Sequence, residues 1–207
     1  MAKNVLPKKL HKEFHRCNEE NDLDGMAKLF DENDIDINAM LYKPNKSTKD
    51  NQYLFFEVFS GPGVAKKVDF FLSRGVDVTL TGHNGGNALH MIYLQERELP
   101  VMLKLIEAGV DVNRQDDEGC TKLYHLVREF GDKTQYGDEG EEPKQPGDFE
   151  LAFRFIDILL QKGADPDIKN NFETSPRDWI NHRNEMDETD DMDRQLEGLI
   201  NHYCPIG

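Results

Sequence analysis

Apolar residues recur along the chain at offsets of three and four, and three of these stripes run into a glycine at the same distance. Val68, Phe71 and Leu72 precede Gly75; Met102, Leu105 and Ile106 precede Gly109; Ile156, Leu159 and Leu160 precede Gly163. Such offsets put side chains on one face of a helix, and a glycine just past that face takes the left-handed conformation that ends it. The pattern predicts three amphipathic helices, each stopped by its glycine. Near the C-terminus Met192, Leu196, Leu199, Ile200 and Tyr203 form another stripe, with Asp190, Asp191, Asp193, Arg194, Gln195 and Glu197 between them. That alternation fits a terminal helix that packs on one side and faces water on the other.

The segments around these stops repeat as well. Arg74-Gly75-Val76-Asp77-Val78, Ala108-Gly109-Val110-Asp111-Val112-Asn113 and Lys162-Gly163-Ala164-Asp165-Pro166-Asp167 are one motif written three times. Ten residues beyond Gly75 and Gly109 stand Gly85 and Gly119, followed by Asn87-Ala88-Leu89-His90 and Thr121-Lys122-Leu123-Tyr124. After Gly163 the second glycine is replaced by Glu173, ahead of Ser175-Pro176-Arg177-Asp178.

This pattern resembles the ankyrin repeat, whose units of about 33 residues start a first helix on a TPLH motif and end a second helix on glycine. Gly85 to Gly119 spans 34 residues, one more than that period. The resemblance implies an all-α fold, a solenoid of stacked helix-turn-helix units with connecting loops. It divides a single domain, 1–207, into five units at about 4–40, 50–82, 83–116, 117–170 and 171–207. In the first, Asn33 stands in for the capping glycine, since asparagine tolerates the left-handed conformation. The second has the least recognisable first helix. His90 holds the family's histidine position, which implies a bond to neighbouring backbone.

Two insertions break the period: AMLYKPNKSTKD after Asn38, and GDKTQYGDEGEEPKQPGD over 131–148. Both are polar and rich in turn formers. The second carries Asp138, Glu139, Glu141 and Glu142, and its glycines and prolines oppose regular structure, so it reads as a mobile acidic surface loop.

Charge and chemistry narrow the function. Lysine and arginine number 25 against 40 aspartates and glutamates, a net charge of −15, which argues against nucleic acid and suits a basic protein partner. Repulsion between copies favours a monomer. The start MAKNVLPKKLHKEFHRC has no apolar run after its charges, so neither a secretory signal nor a membrane anchor is expected, and the expected location is cytoplasmic. Cys17, Cys120 and Cys204 lie far apart and read as free thiols. Gly61-Pro62-Gly63 lacks the third glycine of a dinucleotide loop and reads as a turn between helices; Lys46-Ser47-Thr48 has no phosphate-loop framework. His11 and His15 share a helix face without a third metal ligand, and the aspartates Asp187, Asp190, Asp191 and Asp193 lack the spacing of a calcium loop. No nucleophile stands beside a base, so no catalysis, metal or cofactor is expected.

The resemblance implies binding through loop tips and the exposed side of first helices, which line a concave face. Those positions are His83, Asn84, Asp117, Glu118, Asn171 and Phe172 at the tips, and Leu94, Gln95, Arg128, Glu129, His182 and Arg183 on first helices. Trp179 occupies a variable slot after Asp178, where it either anchors a partner or packs against the preceding unit. The expected function is non-catalytic binding of a basic protein, sequestering or inhibiting a toxin or enzyme as an immunity protein or antitoxin does. A general adaptor joining two proteins without inhibition is the alternative.

Overall fold

The computed structural model describes residues 2–42, 52–82, 84–135, 146–185 and 191–205. These fall into two compact units, residues 1–93 with 97–110 and residues 94–96 with 111–207. The chain is mostly helical, as the periodicity predicts.

The first unit opens with β1 (Lys3–Val5), α1 (His11–Glu20), α2 (Leu23–Asn33) and β2 (Ile35–Met40). The strands pair in parallel, Lys3 opposite Ile35 and Val5 opposite Met40, with an irregularity between the two pairs. This small sheet departs from the all-helical expectation, and Ala39 and Met40, the first residues of the first insertion, belong to it. Ile35 and Ala39 are buried, which holds the strand against the helices. The left-handed residue after α2 is Asp34, with φ 55°, and not Asn33. Asn33 instead ends the helix and its side-chain amide donates back to the Leu29 carbonyl at 3.0 Å.

Next come α3 (Leu54–Glu57), α4 (Val64–Ser73), a short 3-10 turn at Ala88–Met91 and α5 (Leu99–Glu107). Val68, Phe71, Met102 and Leu105 are fully buried, so the predicted stripes face the core. Phe71 meets Phe30 edge to face at 5.8 Å and Phe55 at 5.5 Å. Gly63, with φ 70°, starts α4 and closes the turn that the Gly61-Pro62-Gly63 run predicts. Beneath that turn lies Lys67, fully buried, whose ammonium donates to Asn18 Oδ1 (2.7 Å), the Asn18 carbonyl (3.3 Å) and the Ser60 carbonyl (2.6 Å). Burial pulls its pKa down to about 8.

The second unit holds α6 (Lys122–Gln135), α7 (Pro146–Gln161), α8 (Pro176–Glu185) and α9 (Asp191–Tyr203). Helix α6 continues past Gly131 to Gln135 and α7 begins at Pro146, so both ends of the second insertion are helical where its composition predicted none. Ile156, Leu159, Leu196 and Ile200 are buried on the predicted faces, whereas Asp193, expected among the solvent-facing residues, is also buried. Arg177 ties this unit together. Its guanidinium donates to both Asp167 oxygens (2.6 and 3.2 Å), to Asn201 Oδ1 (2.6 Å) and to the Cys204 carbonyl (2.6 Å).

The repeated glycines behave alike. Gly75, Gly109 and Gly163 all have φ between 78° and 95°. Two residues later Asp77, Asp111 and Asp165 each turn a carboxylate back on the backbone N–H two residues ahead, at 2.8 to 2.9 Å. Within the first unit Asn38 Oδ1 accepts from the Asp77 N–H at 2.7 Å, and within the second Asn113 Oδ1 accepts from the Asp165 N–H at 2.8 Å. The same bond thus ties β2 to the Asp77 turn in the first unit and joins the Asn113 and Asp165 turns in the second.

Candidate functional site

Three five-residue turns are built to one plan. In 82–86, 116–120 and 170–174 the first N–H donates to the fifth carbonyl (2.8, 2.9 and 3.0 Å), and the fourth residue is left-handed. That fourth residue is Gly85, Gly119 and Glu173. In the second unit the turns are further set by a side chain at their first position. Asp116 Oδ1 accepts from the Glu118 and Cys120 N–H groups (3.0 and 2.9 Å), and Asn170 Oδ1 accepts from Phe172 and Thr174 (2.9 and 3.1 Å). The other Asp116 oxygen bonds His125 Nε2 at 2.7 Å, which fixes the turn to α6.

These two tips are bonded to each other. The Asn171 N–H donates to the Glu118 carbonyl at 3.0 Å and the Asn171 side-chain amide to the Asp117 carbonyl at 2.9 Å. Gln115 bridges the Gly119 and Lys169 carbonyls at 2.6 and 2.9 Å. The approach is close: a Cβ on Gly119 would sit 2.8 Å from the Asn171 backbone nitrogen, so only glycine fits. The structure therefore brings Asp117, Glu118, Asn171 and Phe172 into one strip of surface. Phe172 is 74% exposed there, with the exposed carboxylates of Asp117, Glu118 and Glu173 around it. An exposed ring on a fixed backbone beside acidic groups can enter an apolar depression flanked by lysine or arginine.

The other predicted positions are distributed differently. Arg128 and Glu129 are exposed on α6, and both are engaged in interactions. On α8 Trp179 is half-buried and engaged, His182 is exposed, and Arg183 follows it on the same helix. Leu94 and Gln95 are not on a helix: the 3-10 turn ends at Met91, Ile92 is extended, and the Tyr93 N–H donates to the buried Glu98 carboxylate at 2.6 Å. That bond captures the backbone donor which a continuing helix would have used. Asn84 is exposed at the 82–86 turn of the first unit, where its Oδ1 accepts from Gly86 at 3.3 Å. His83, Asp138, Glu139, Glu141 and Glu142 lie outside the described residues.

A stretch of 63 residues is 39% identical to a protein of fowlpox virus (strain NVSL) named as an ankyrin repeat protein. The match covers 29% of this chain and 15% of the viral protein. No family model matches the chain. The similarity and the repeated turns together point to an ankyrin-like family. His90 fits that likeness: its Nδ1 takes the Asn87 N–H at 3.1 Å, a bond to neighbouring backbone.

Other residues singled out by sequence are engaged in packing or lie outside the described residues. His11 bonds the Leu6 carbonyl at 3.0 Å and stands edge-on to Tyr42, while His15 lies against Phe14. Cys17 and Cys120 are buried and Cys204 half-buried, and burial pushes all three thiols up, away from the reactive thiolate. Lys46, Ser47, Thr48, Asp187 and Asp190 lie outside the described residues. Among the described residues no helix is long and apolar enough to cross a membrane.

The sequence reading missed one group altogether, the half-buried Glu57 carboxylate in a cavity walled by Phe56, Phe59 and Tyr93. The run Phe55-Phe56-Glu57-Val58-Phe59, one acid among aromatics, was the available signal.

Proposed function

We propose that this chain is a non-catalytic protein-binding module that sequesters a basic partner protein. The observation that carries the reading is the strip at Asp117, Glu118, Asn171 and Phe172, where two hydrogen-bonded tips hold an exposed phenylalanine among carboxylates. Pre-formed backbone keeps the ordering cost of binding low, and an aromatic ring supplies the apolar anchor of an interface. The net charge of −15 draws a cationic partner toward that strip. Inhibition follows if the partner's cationic surface is also its working surface, which is how an immunity protein or antitoxin acts.

The test is capture of partners from the native lysate at low and high salt, repeated with Phe172→Ala protein, followed by an activity assay on whatever is captured. A single basic protein, captured more weakly at high salt than at low, bound at least tenfold more weakly by the variant and inhibited by the wild type, is the expected result. Several salt-insensitive partners with unchanged activity would replace sequestration with an adaptor role. Capture indifferent to Phe172→Ala would move the contact away from the tips.

A further inference from the structure

Glu57 ends α3, and its carboxylate lines a cavity of about 240 Å³ with Gln52, Phe56, Phe59, Ser60, Met91 and Tyr93, all within the first unit. Its walls are fixed. Phe56 is held by Tyr53 at 6.4 Å, by Phe55 at 5.9 Å and by the backbone at Gly82, where even a methyl group would stand 3.3 Å from the ring. Phe59 is buried against Phe55 at 5.4 Å. Tyr93, at the mouth, is 60% exposed, so its ring is open to a ligand.

The carboxylate itself is the anomaly. It is half-buried, and among the described residues it accepts no hydrogen bond and joins no ion pair. Burial pushes its pKa up, offset in part by His15, which acts on it through space without bonding it. The nearby Lys67 ammonium is directed at Asn18 and Ser60 instead. A half-desolvated carboxylate with no partner among the described residues is a ready acceptor for an external cation.

We propose that this cavity receives an arginine side chain of the basic partner, the guanidinium pairing with the Glu57 carboxylate and lying against the rings of Phe56, Phe59 and Tyr93. A guanidinium is planar, weakly hydrated, bidentate toward carboxylates and attracted to aromatic faces, and the cavity offers both kinds of surface at once. The choice of a cation rests on charge complementarity, a half-buried acid with no partner among the described residues in a chain of net charge −15. The identification of its source as a protein partner rests on the function proposed above.

The experiment titrates the full-length protein with N-acetyl-arginine amide and with its neutral isostere N-acetyl-citrulline amide, reading backbone amide shifts by NMR. Saturable shifts at Glu57, Ser60 and Tyr93 with the arginine probe, absent with citrulline, are expected. Glu57→Gln should weaken them tenfold or more, and Tyr93→Ala, at an exposed position, should weaken them severalfold with the rest of the spectrum intact. Equal shifts with citrulline, shifts scattered over the acidic surface, or indifference to Glu57→Gln would each overturn the proposal. A partner held equally by wild-type and Glu57→Gln protein would overturn the cavity while leaving the binding module standing. Arginine binding with no partner captured would leave the cavity standing and remove the module.

Discussion

At the level of single residues, the stability of each unit rests on side chains whose surroundings are now explicit. Leu105 and Leu159 are fully buried on their stripes. Truncating either to alanine removes apolar burial and leaves a cavity, so Leu105→Ala and Leu159→Ala should each cost about 2–5 kcal/mol in denaturant unfolding. Lys67 gives a prediction with a sign. With a folded pKa of about 8 against an ordinary 10.5, the unfolded chain holds a proton that the folded chain has released between those values. Stability attributable to Lys67 therefore rises as pH climbs from about 8 toward 10.5, and is lowest and flat below that window. Comparing wild type with Lys67→Met at pH 7 and pH 10 isolates it from other titrations. The difference should move in favour of wild type by about 2 kcal/mol at the higher pH.

Elements show where sequence pattern carries information and where it stops. The second helices α4, α5 and α7 were legible because each runs at least nine residues, long enough for a stripe to repeat, and ends on a left-handed glycine. Their counterparts at Leu54–Glu57 and Ala88–Met91 are four residues each, roughly one turn, too short for any period to show. This is why Leu94 and Gln95 were misplaced onto a helix. Strand β1 has three residues, Lys-Asn-Val, and owes its conformation to pairing with β2 rather than to its own preference. The loop tips were legible by position, since turn geometry follows local residues, but their bonding to one another was not. Neither was the Glu57 cavity, whose walls lie from Gln52 to Tyr93 in sequence. Helix α8 supplies a test at this scale. Arg177→Met keeps the length and loses the bonds to Asp167, Asn201 and Cys204, so it should destabilise by about 3 kcal/mol. Asp167→Asn retains an acceptor at a largely exposed position and should cost under about 1 kcal/mol by the same unfolding assay.

For the molecule as a whole, charge and contact chemistry should separate in the kinetics of binding. A net charge of −15 acts at a distance, while Phe172 acts only on contact. Raising salt from low ionic strength to about 0.5 M should therefore slow association with a basic partner roughly tenfold and leave dissociation nearly unchanged. Phe172→Ala should do the reverse, speeding dissociation with little effect on association. Surface plasmon resonance on the captured partner reads both rates. If salt and the ring substitution act on the same rate, steering and docking are not divided between charge and tip in this way.

The common plan of the turns at 82–86, 116–120 and 170–174 has a consequence for how such a chain acquires new specificity. Each is closed by its own backbone bond around a left-handed fourth residue, and in the second unit the first residue also sets the turn through its side chain, so free variation is confined to the middle of the apex. The apices are exchangeable parts. Glu118→Phe should give a folded protein with a second exposed ring, because Glu118 is exposed and lends its neighbours only backbone groups, while Asp116, Gly119 and Cys120 stay in place. Recognition in this architecture can thus drift by exchanging a residue or two at each apex, while the buried stripes that keep the chain folded go unread by selection for a partner.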